Sequence, residues 1–70
     1  MERIWKIDVH GVDGYSFAVK GDIGSDSEAI DAATIAGLFD SPYDAGYAYA
    51  EEITDSQYDI DGLAGCTYDV

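Results

Sequence analysis

Basic residues are scarce in this chain of 70 residues, which has three lysines and arginines, fifteen acidic residues and a formal net charge of −12. The three cations, Arg3, Lys6 and Lys20, lie in residues 1–20 with three acids, whereas residues 21–70 carry twelve acids and no lysine or arginine. This charge is larger than solubility alone requires of a small domain. It disfavours nucleic acid and anionic membranes as partners and favours basic protein surfaces.

Cysteine and long apolar runs are also scarce. Cys66 is the single cysteine, which excludes an intramolecular disulfide and is typical of a reducing, intracellular environment. No apolar run is long enough to span a bilayer, and the first residues lack the apolar segment of a signal peptide. A hydrophobic content of 47% is enough to fold. We therefore expect one compact domain over residues 1–70, located in the cytoplasm.

Two runs of alternating apolar and polar residues predict a β-hairpin near the N-terminus. The first run covers residues 4–9 and the second residues 15–20, with two glycines and an aspartate in the segment between them. A period of two is typical of a half-buried strand, and a short glycine-rich connection is typical of a hairpin. The side chains expected to face the core are Trp5, Ile7, Val9, Tyr15, Phe17 and Val19.

The middle of the chain predicts two helices. Ser25 and Glu28 have the spacing of a capping box, and the apolar run 29–39 that follows them has an alanine-rich face. Ser41 and Pro42 are suited to starting a second helix. On a helical wheel, four acids of that helix would lie on the side opposite the core-facing residues, which include three aromatic or aliphatic side chains. These acids are Asp44, Glu51, Glu52 and Asp55, and the core-facing residues include Tyr43, Tyr47 and Ile53.

Residues 57–70 return to alternation, with glycines in the middle, and predict a second hairpin or one bent strand. Asp59 and Asp61 would then project from one face of a strand, about 6.6 Å apart. A hairpin followed by helices favours the α+β class. We expect an antiparallel sheet with two helices on one face, in the order ββαα followed by β or ββ.

The acidic residues are the strongest functional candidates. No lysine or arginine stands three or four residues from the acids of the second predicted helix, so nothing on that helix relieves their repulsion. Tyr49 falls between the inward and acidic sides, where a tyrosine ring can accept an arginine over its face. A solvated surface and adaptation to high salt are the competing interpretations. The predicted partner-binding residues are Asp44, Tyr49, Glu51, Glu52, Asp55, Asp59 and Asp61.

Catalytic and metal-binding patterns are weak. In an EF-hand alignment that places Gly62 at the sixth position, Gln57 and Tyr68 stand where the loop requires acids. His10 and Cys66 lie far apart in sequence and do not form a zinc motif. The acids are expected to face outward, without the apolar pocket that raises the pKa of a catalytic carboxyl group. We therefore predict no catalytic residues, no metal and no cofactor.

In size, composition and charge layout over residues 21–70, the chain resembles the acidic DNA-mimic inhibitors encoded by bacteriophages, above all small anti-CRISPR proteins and next anti-restriction proteins. The resemblance implies a non-enzymatic inhibitor that acts in the host bacterial cytoplasm. Its partner would be the DNA-binding surface of a CRISPR surveillance complex or defence nuclease. The alternatives are an antitoxin or immunity-type protein, and an adaptor or structural domain adapted to salt. An exposed sheet edge would also permit a homodimer.

Overall fold

The structure, a computed structural model, describes residues 2–70 and contains one four-stranded sheet and two α-helices. This confirms the α+β class, with elements in an order close to the predicted one. The strands, in the order β3-β1-β2-β4 across the sheet, are β1 (Arg3–Val9), β2 (Tyr15–Gly21), β3 (Ala48–Ile53) and β4 (Thr67–Asp69). The helices are α1 (Asp26–Ile35) and α2 (Asp55–Ile60), and short 3₁₀ helices cover Asp44–Tyr47 and Leu63–Cys66.

The predicted hairpin is confirmed as the centre of the sheet. β1 pairs antiparallel with β2, and Trp5 lies opposite Val19 while Ile7 lies opposite Phe17. Directly opposed residues point to the same face, so the alternation of the two runs produces one continuous apolar surface. Five of the six side chains expected in the core are buried, and Tyr15 is packed against them half-buried.

The first helix covers this apolar face. Ala29 and Ala33 are fully buried against the aromatic and aliphatic side chains of β1 and β2. Because alanine is small, the helix can approach the sheet closely, as its alanine-rich face predicts. The indole nitrogen of Trp5 donates a hydrogen bond of 3.2 Å to the carbonyl of Ile23, so the one polar atom of that ring has a partner in the core.

α1 ends four residues before the end of its predicted apolar run. It stops at Ile35 because Gly37 takes a left-handed conformation with φ of 70°. The amide groups of Gly37 and Leu38 then donate to the carbonyls of Thr34 and Ala33, at 3.1 and 3.0 Å. This is a Schellman ending, which closes the helix and turns Leu38 back towards the core.

The second predicted helix is wrong. Residues 44–47 form a 3₁₀ turn, and residues 48–53 form β3, which pairs antiparallel with the free edge of β1. The segment fits both periods. Ala48 and Ala50 alternate with Tyr49 and Glu51, as in a strand, whereas Tyr47, Ala50 and Ile53 recur every third residue, as on one side of a helix. Strand pairing satisfies the backbone N–H and C=O groups along the second edge of β1, and it places Ala48 and Ala50 against the core.

The tail also differs from its prediction. Residues 57–60, expected as a strand, belong to α2, which begins where the Thr54 hydroxyl accepts a hydrogen bond from the amide of Gln57. The final strand, β4, covers only residues 67–69 and runs parallel to β2. Leu63 and the half-buried Tyr58 pack on Ile4 and Ala18, on the face of the sheet opposite α1. The two helices therefore lie on opposite faces and not on one.

Candidate protein-binding surface

The acidic side chains lie at the surface, since no charged or polar residue among residues 2–70 is buried. Each of the three cations already has an acidic partner: the ion-pair distances are 3.1 Å for Arg3–Glu52, 3.3 Å for Lys6–Asp61 and 3.5 Å for Lys20–Glu2. These pairs engage every lysine and arginine of the chain. Most of the acids therefore have no basic side chain left to neutralise them.

Three of the predicted acids meet at the junction of β3 and α2. Glu51, Glu52 and Asp61 line an open cavity of about 420 Å³, together with Lys6 and Gln57. Glu51 is the direct cross-strand neighbour of Lys6, and the Lys6 ammonium reaches across the cavity to Asp61. The structure thus brings together residues that the sequence assigned to a helix and to a separate strand.

Asp61 is the best-supported carboxylate of this cavity. Its Oδ1 accepts a hydrogen bond of 2.8 Å from the side-chain amide of Gln57, and its Oδ2 accepts one of 3.3 Å from Lys6. The bond from Gln57, followed by the bond and charge of Lys6, holds the pKa of Asp61 below its usual value. Asp61 therefore anchors α2 to β1 and is not the free strand carboxylate that the sequence predicted.

Asp55 and Asp59 lie on the other flank of α2. They are four residues apart, so they share one side of the helix. Tyr58 lies between this side and the side of Asp61, and it packs towards the sheet. Both aspartates are exposed, and no lysine or arginine in residues 2–70 lies within ion-pair distance of either. We group them with Glu51, which lies on the cavity side of α2 and also has no ion pair within the described residues, and call these three acids (Glu51, Asp55 and Asp59) the α2 acidic surface.

Asp44 is separated from the other predicted acids, which corrects the single stripe expected from the sequence. It lies in the first 3₁₀ turn, where its Oδ2 accepts a hydrogen bond of 2.7 Å from the hydroxyl of Tyr15. The same hydroxyl accepts one of 2.9 Å from the amide of Asp40. Partial burial and the bond to Asp44 raise the pKa of the Tyr15 hydroxyl. Asp44 therefore ties the segment that follows α1 to the start of β2.

The exposed tyrosines depart from their predicted positions. Tyr43 and Tyr47, expected to face inward from a helix, are 80% and 62% exposed because they belong to a turn at the end of the sheet. Tyr49 is 68% exposed on β3, and its ring stands edge-on to His10 with 5.1 Å between ring centres. Tyr49 was predicted between the inward and acidic sides of a helix, and this is wrong because it lies on a strand. Its ring is nevertheless exposed and available for contact.

A second cavity, which sequence reasoning missed, lies beside the β1–β2 turn. We call it the hairpin pocket; it has a volume of about 420 Å³. The amide of His10 donates a hydrogen bond of 3.0 Å to the carbonyl of Tyr47, and this bond joins its two sides. No spacing in the sequence indicates it, because its sides come from residues about thirty positions apart. Its lining is Val9, His10, Gly11, Val12, Asp13, Tyr15, Asp40, Asp44 and Tyr47.

Neither cavity gathers metal ligands: in the chain from residue 2 onward, no three histidine, cysteine, aspartate or glutamate side chains are placed to hold a metal ion. Nor is any helix of that same part both long and apolar enough to cross a membrane. Comparison of the chain with protein-family models, curated proteins and solved structures found no match.

Proposed function

We propose that this protein is an inhibitor that occupies the DNA-binding surface of a basic protein assembly, such as a CRISPR surveillance complex or a defence nuclease in the bacterial cytoplasm. One observation carries the proposal. Every lysine and arginine is already ion-paired. Most of the remaining acids belong to residues 21–70, which contain no lysine or arginine. A negative electrostatic field of this kind attracts a positively charged protein.

Duplex DNA presents dense negative charge, and the proteins that bind it hold lysines and arginines in its path. A folded body with fixed carboxylates can occupy those cations without being bent, unwound or cleaved. Here the backbone pairing of β3 holds Glu51, and α2 holds Asp55 and Asp59. Long-range attraction would speed the association and make it weaken as salt is added.

Within the predicted set, the acids divide into two roles. Glu51, Asp55 and Asp59 form no ion pair with a lysine or arginine in residues 2–70 and would meet the target directly. Glu52 and Asp61 are paired with Arg3 and Lys6, so they chiefly position β3 and α2. We therefore assign most of the binding to the α2 acidic surface.

Charge reversal tests this assignment. A Glu51→Lys, Asp55→Lys, Asp59→Lys variant should lose inhibition of target-DNA binding by purified surveillance complexes and defence nucleases, measured by gel shift. At roughly 1 kcal/mol for each reversed contact, the inhibitory concentration should rise about 100-fold.

The matched control is Asp26→Lys, Asp31→Lys, Asp69→Lys, which changes the net charge equally on α1 and β4. We expect it to retain most of the inhibition, with circular dichroism showing that both variants are folded. Equal inhibition by the α2 variant and the wild type contradicts the assignment. Absence of inhibition of every complex by the wild type contradicts the proposed function.

A second candidate is an antitoxin or immunity-type protein, or an acidic adaptor, that binds a basic protein which does not bind DNA. The exposed Tyr47 and Tyr49 favour it, because aromatic side chains contribute to protein interfaces of every kind, whereas a mimic of phosphate charge depends mainly on its carboxylates. The outer edges of β3 and β4 also lack a strand partner within the sheet, so dimerisation by strand addition stays a prediction.

A further inference from the structure

The hairpin pocket combines carboxylates with aromatic and apolar walls. Asp13, Asp40 and Asp44 line it, as do Tyr15 and Tyr47. The hydrogen bond from Tyr15 uses one oxygen of Asp44 and leaves the other available. A pocket of this composition offers both a negative charge and a flat ring surface to the same ligand.

The charges of the molecule are unevenly distributed along the sheet, and the pocket lies at the end without cations. Val9 lines the pocket, whereas Arg3 stands six residues earlier on β1, which is about 20 Å along a strand. Lys20 lies opposite Ile4, close to the same distant end. Lys6 is engaged by Asp61 on the α2 face of the sheet. Among residues 2–70, no lysine or arginine lines the pocket, and His10 is the one imidazole in its lining.

Two of the lining residues are apolar or aromatic and exposed. Val12, at the tip of the hairpin, is fully exposed at 103%, and Tyr47 is 62% exposed. A single exposed valine needs no explanation, but apolar and aromatic side chains grouped at a cavity are typical of a surface that a partner covers. The rim therefore supplies contact area for a protein, beyond the charge inside the pocket.

We propose that the hairpin pocket receives an arginine side chain from the basic partner protein. A guanidinium group is planar, donates to carboxylates as a fork and stacks on tyrosine rings, so it matches all three properties of the lining. A lysine ammonium matches the charge but not the planar stacking. This proposal rests on the proposed function and identifies a specific contact within it. A second copy of this chain is a poor occupant, because its lysines and arginines are already paired.

The test uses a blocked Gly-Arg-Gly peptide titrated into ¹⁵N-labelled protein and followed by NMR. We expect saturable shifts of the backbone amides that line the pocket, with a dissociation constant in the millimolar range, about −4 kcal/mol, for a single side chain. The same peptide with citrulline, which keeps the shape without the charge, should bind at least about tenfold more weakly, and the lysine peptide several-fold more weakly.

Two variants localise the contact. Asp40→Asn removes one pocket charge with little change of shape, and Tyr47→Leu removes the ring while keeping apolar bulk; each should weaken binding of the arginine peptide about threefold to tenfold. Asp31→Asn removes the same charge from an exposed position on α1, and we expect it to leave the affinity within about twofold of the wild type. Amide spectra of the free variants report whether each is folded.

Several results would overturn the proposal. Shifts spread over the acidic surface without saturation indicate general charge attraction, and equal binding of citrulline indicates a pocket for neutral ligands. Concentration-dependent shifts of the pocket amides without peptide indicate that a second copy occupies it. Each of these leaves the inhibitory role intact, because that role depends on the α2 acidic surface. Conversely, saturable arginine binding in a protein that fails the DNA-competition test supports the pocket and contradicts the inhibitory role.

Discussion

At the scale of single residues, Lys6 shows how one side chain joins two elements. It alternates with Trp5 and Ile7 on β1, whose side chains lie on the face of the sheet that α1 covers. Lys6 therefore points to the opposite face, where α2 lies. There its ammonium meets Asp61, which Gln57 also supports. These contacts stabilise the ionised form of Asp61, which is why its pKa is lowered.

This lowered pKa predicts a pH-dependent contribution to stability. Because the pKa of Asp61 is lower in the folded protein than its ordinary value of 3.8, its contribution is present above about pH 3.8 and is lost as the pH falls through the lowered pKa. Asp61→Asn should therefore be less stable than Asp59→Asn at pH 7, and this difference should shrink at pH 3.

Urea unfolding at the two pH values measures the difference. Asp59→Asn is the proper reference because it removes the same charge without removing the Lys6 pair. A difference that is absent at pH 7 would show that the contacts of Asp61 do not stabilise the fold. One that is unchanged at pH 3 would show that their contribution does not depend on the ionised carboxylate.

At the scale of elements, α1 illustrates a helix whose two ends are specified by neighbouring residues. The Ser25 hydroxyl accepts from the amide of Glu28 at 3.2 Å, and the Glu28 carboxylate reaches back to the amide of Gly24 at 2.7 Å. In the usual capping box the glutamate accepts from the amide of the N-cap residue, which here is Ser25, whereas Glu28 accepts from the residue before it. The other end depends on Gly37, whose positive φ an L-residue adopts only at a cost.

We expect Gly37→Ala to destabilise the protein by about 1 kcal/mol, since the added methyl group meets no neighbour and the cost is that of the left-handed backbone alone. Gly46→Ala is the matched control: its methyl group also meets nothing, and its φ is not positive. Its effect should stay within about 0.5 kcal/mol. Chemical denaturation measures both, and equal effects would show that α1 does not need its left-handed ending.

At the scale of the whole molecule, self-repulsion is the dominant electrostatic property. The molecule measures 29 × 22 × 16 Å. The Debye length is about 30 Å at 0.01 M salt and about 3 Å at 1 M, so at low salt every acid interacts with acids across the entire molecule. Repulsion of this range opposes the compact state and is removed by moderate screening.

We therefore expect the melting temperature to rise by several degrees between 0.01 M and about 0.5 M sodium chloride and then to level off. The Glu51→Lys, Asp55→Lys, Asp59→Lys variant, with half the net charge, should show a smaller rise. Thermal unfolding followed by circular dichroism measures both. A rise that continues into molar salt would instead support a salt-adapted domain, and a flat response would contradict the role given to self-repulsion.

The amino-acid sequence by itself determined the hairpin, the start of α1 and the uneven charge. Each depends on neighbours along the chain: alternation in residues 4–9 and 15–20, a hydroxyl three residues from its amide, and the absence of cations after Lys20. The end of α1 was predicted four residues too late, because the apolar run continues past Gly37.

Only the tertiary structure decided the second half of the molecule. Residues 48–53 suit a helix or a strand equally, and the unpaired edge of β1 selects the strand. That choice divides the predicted acids between the α2 face and the hairpin pocket, and it places Tyr47 at the surface. Pairing between segments about forty residues apart depends on which backbone groups remain unpaired after the hairpin forms, and no local pattern of residues encodes that.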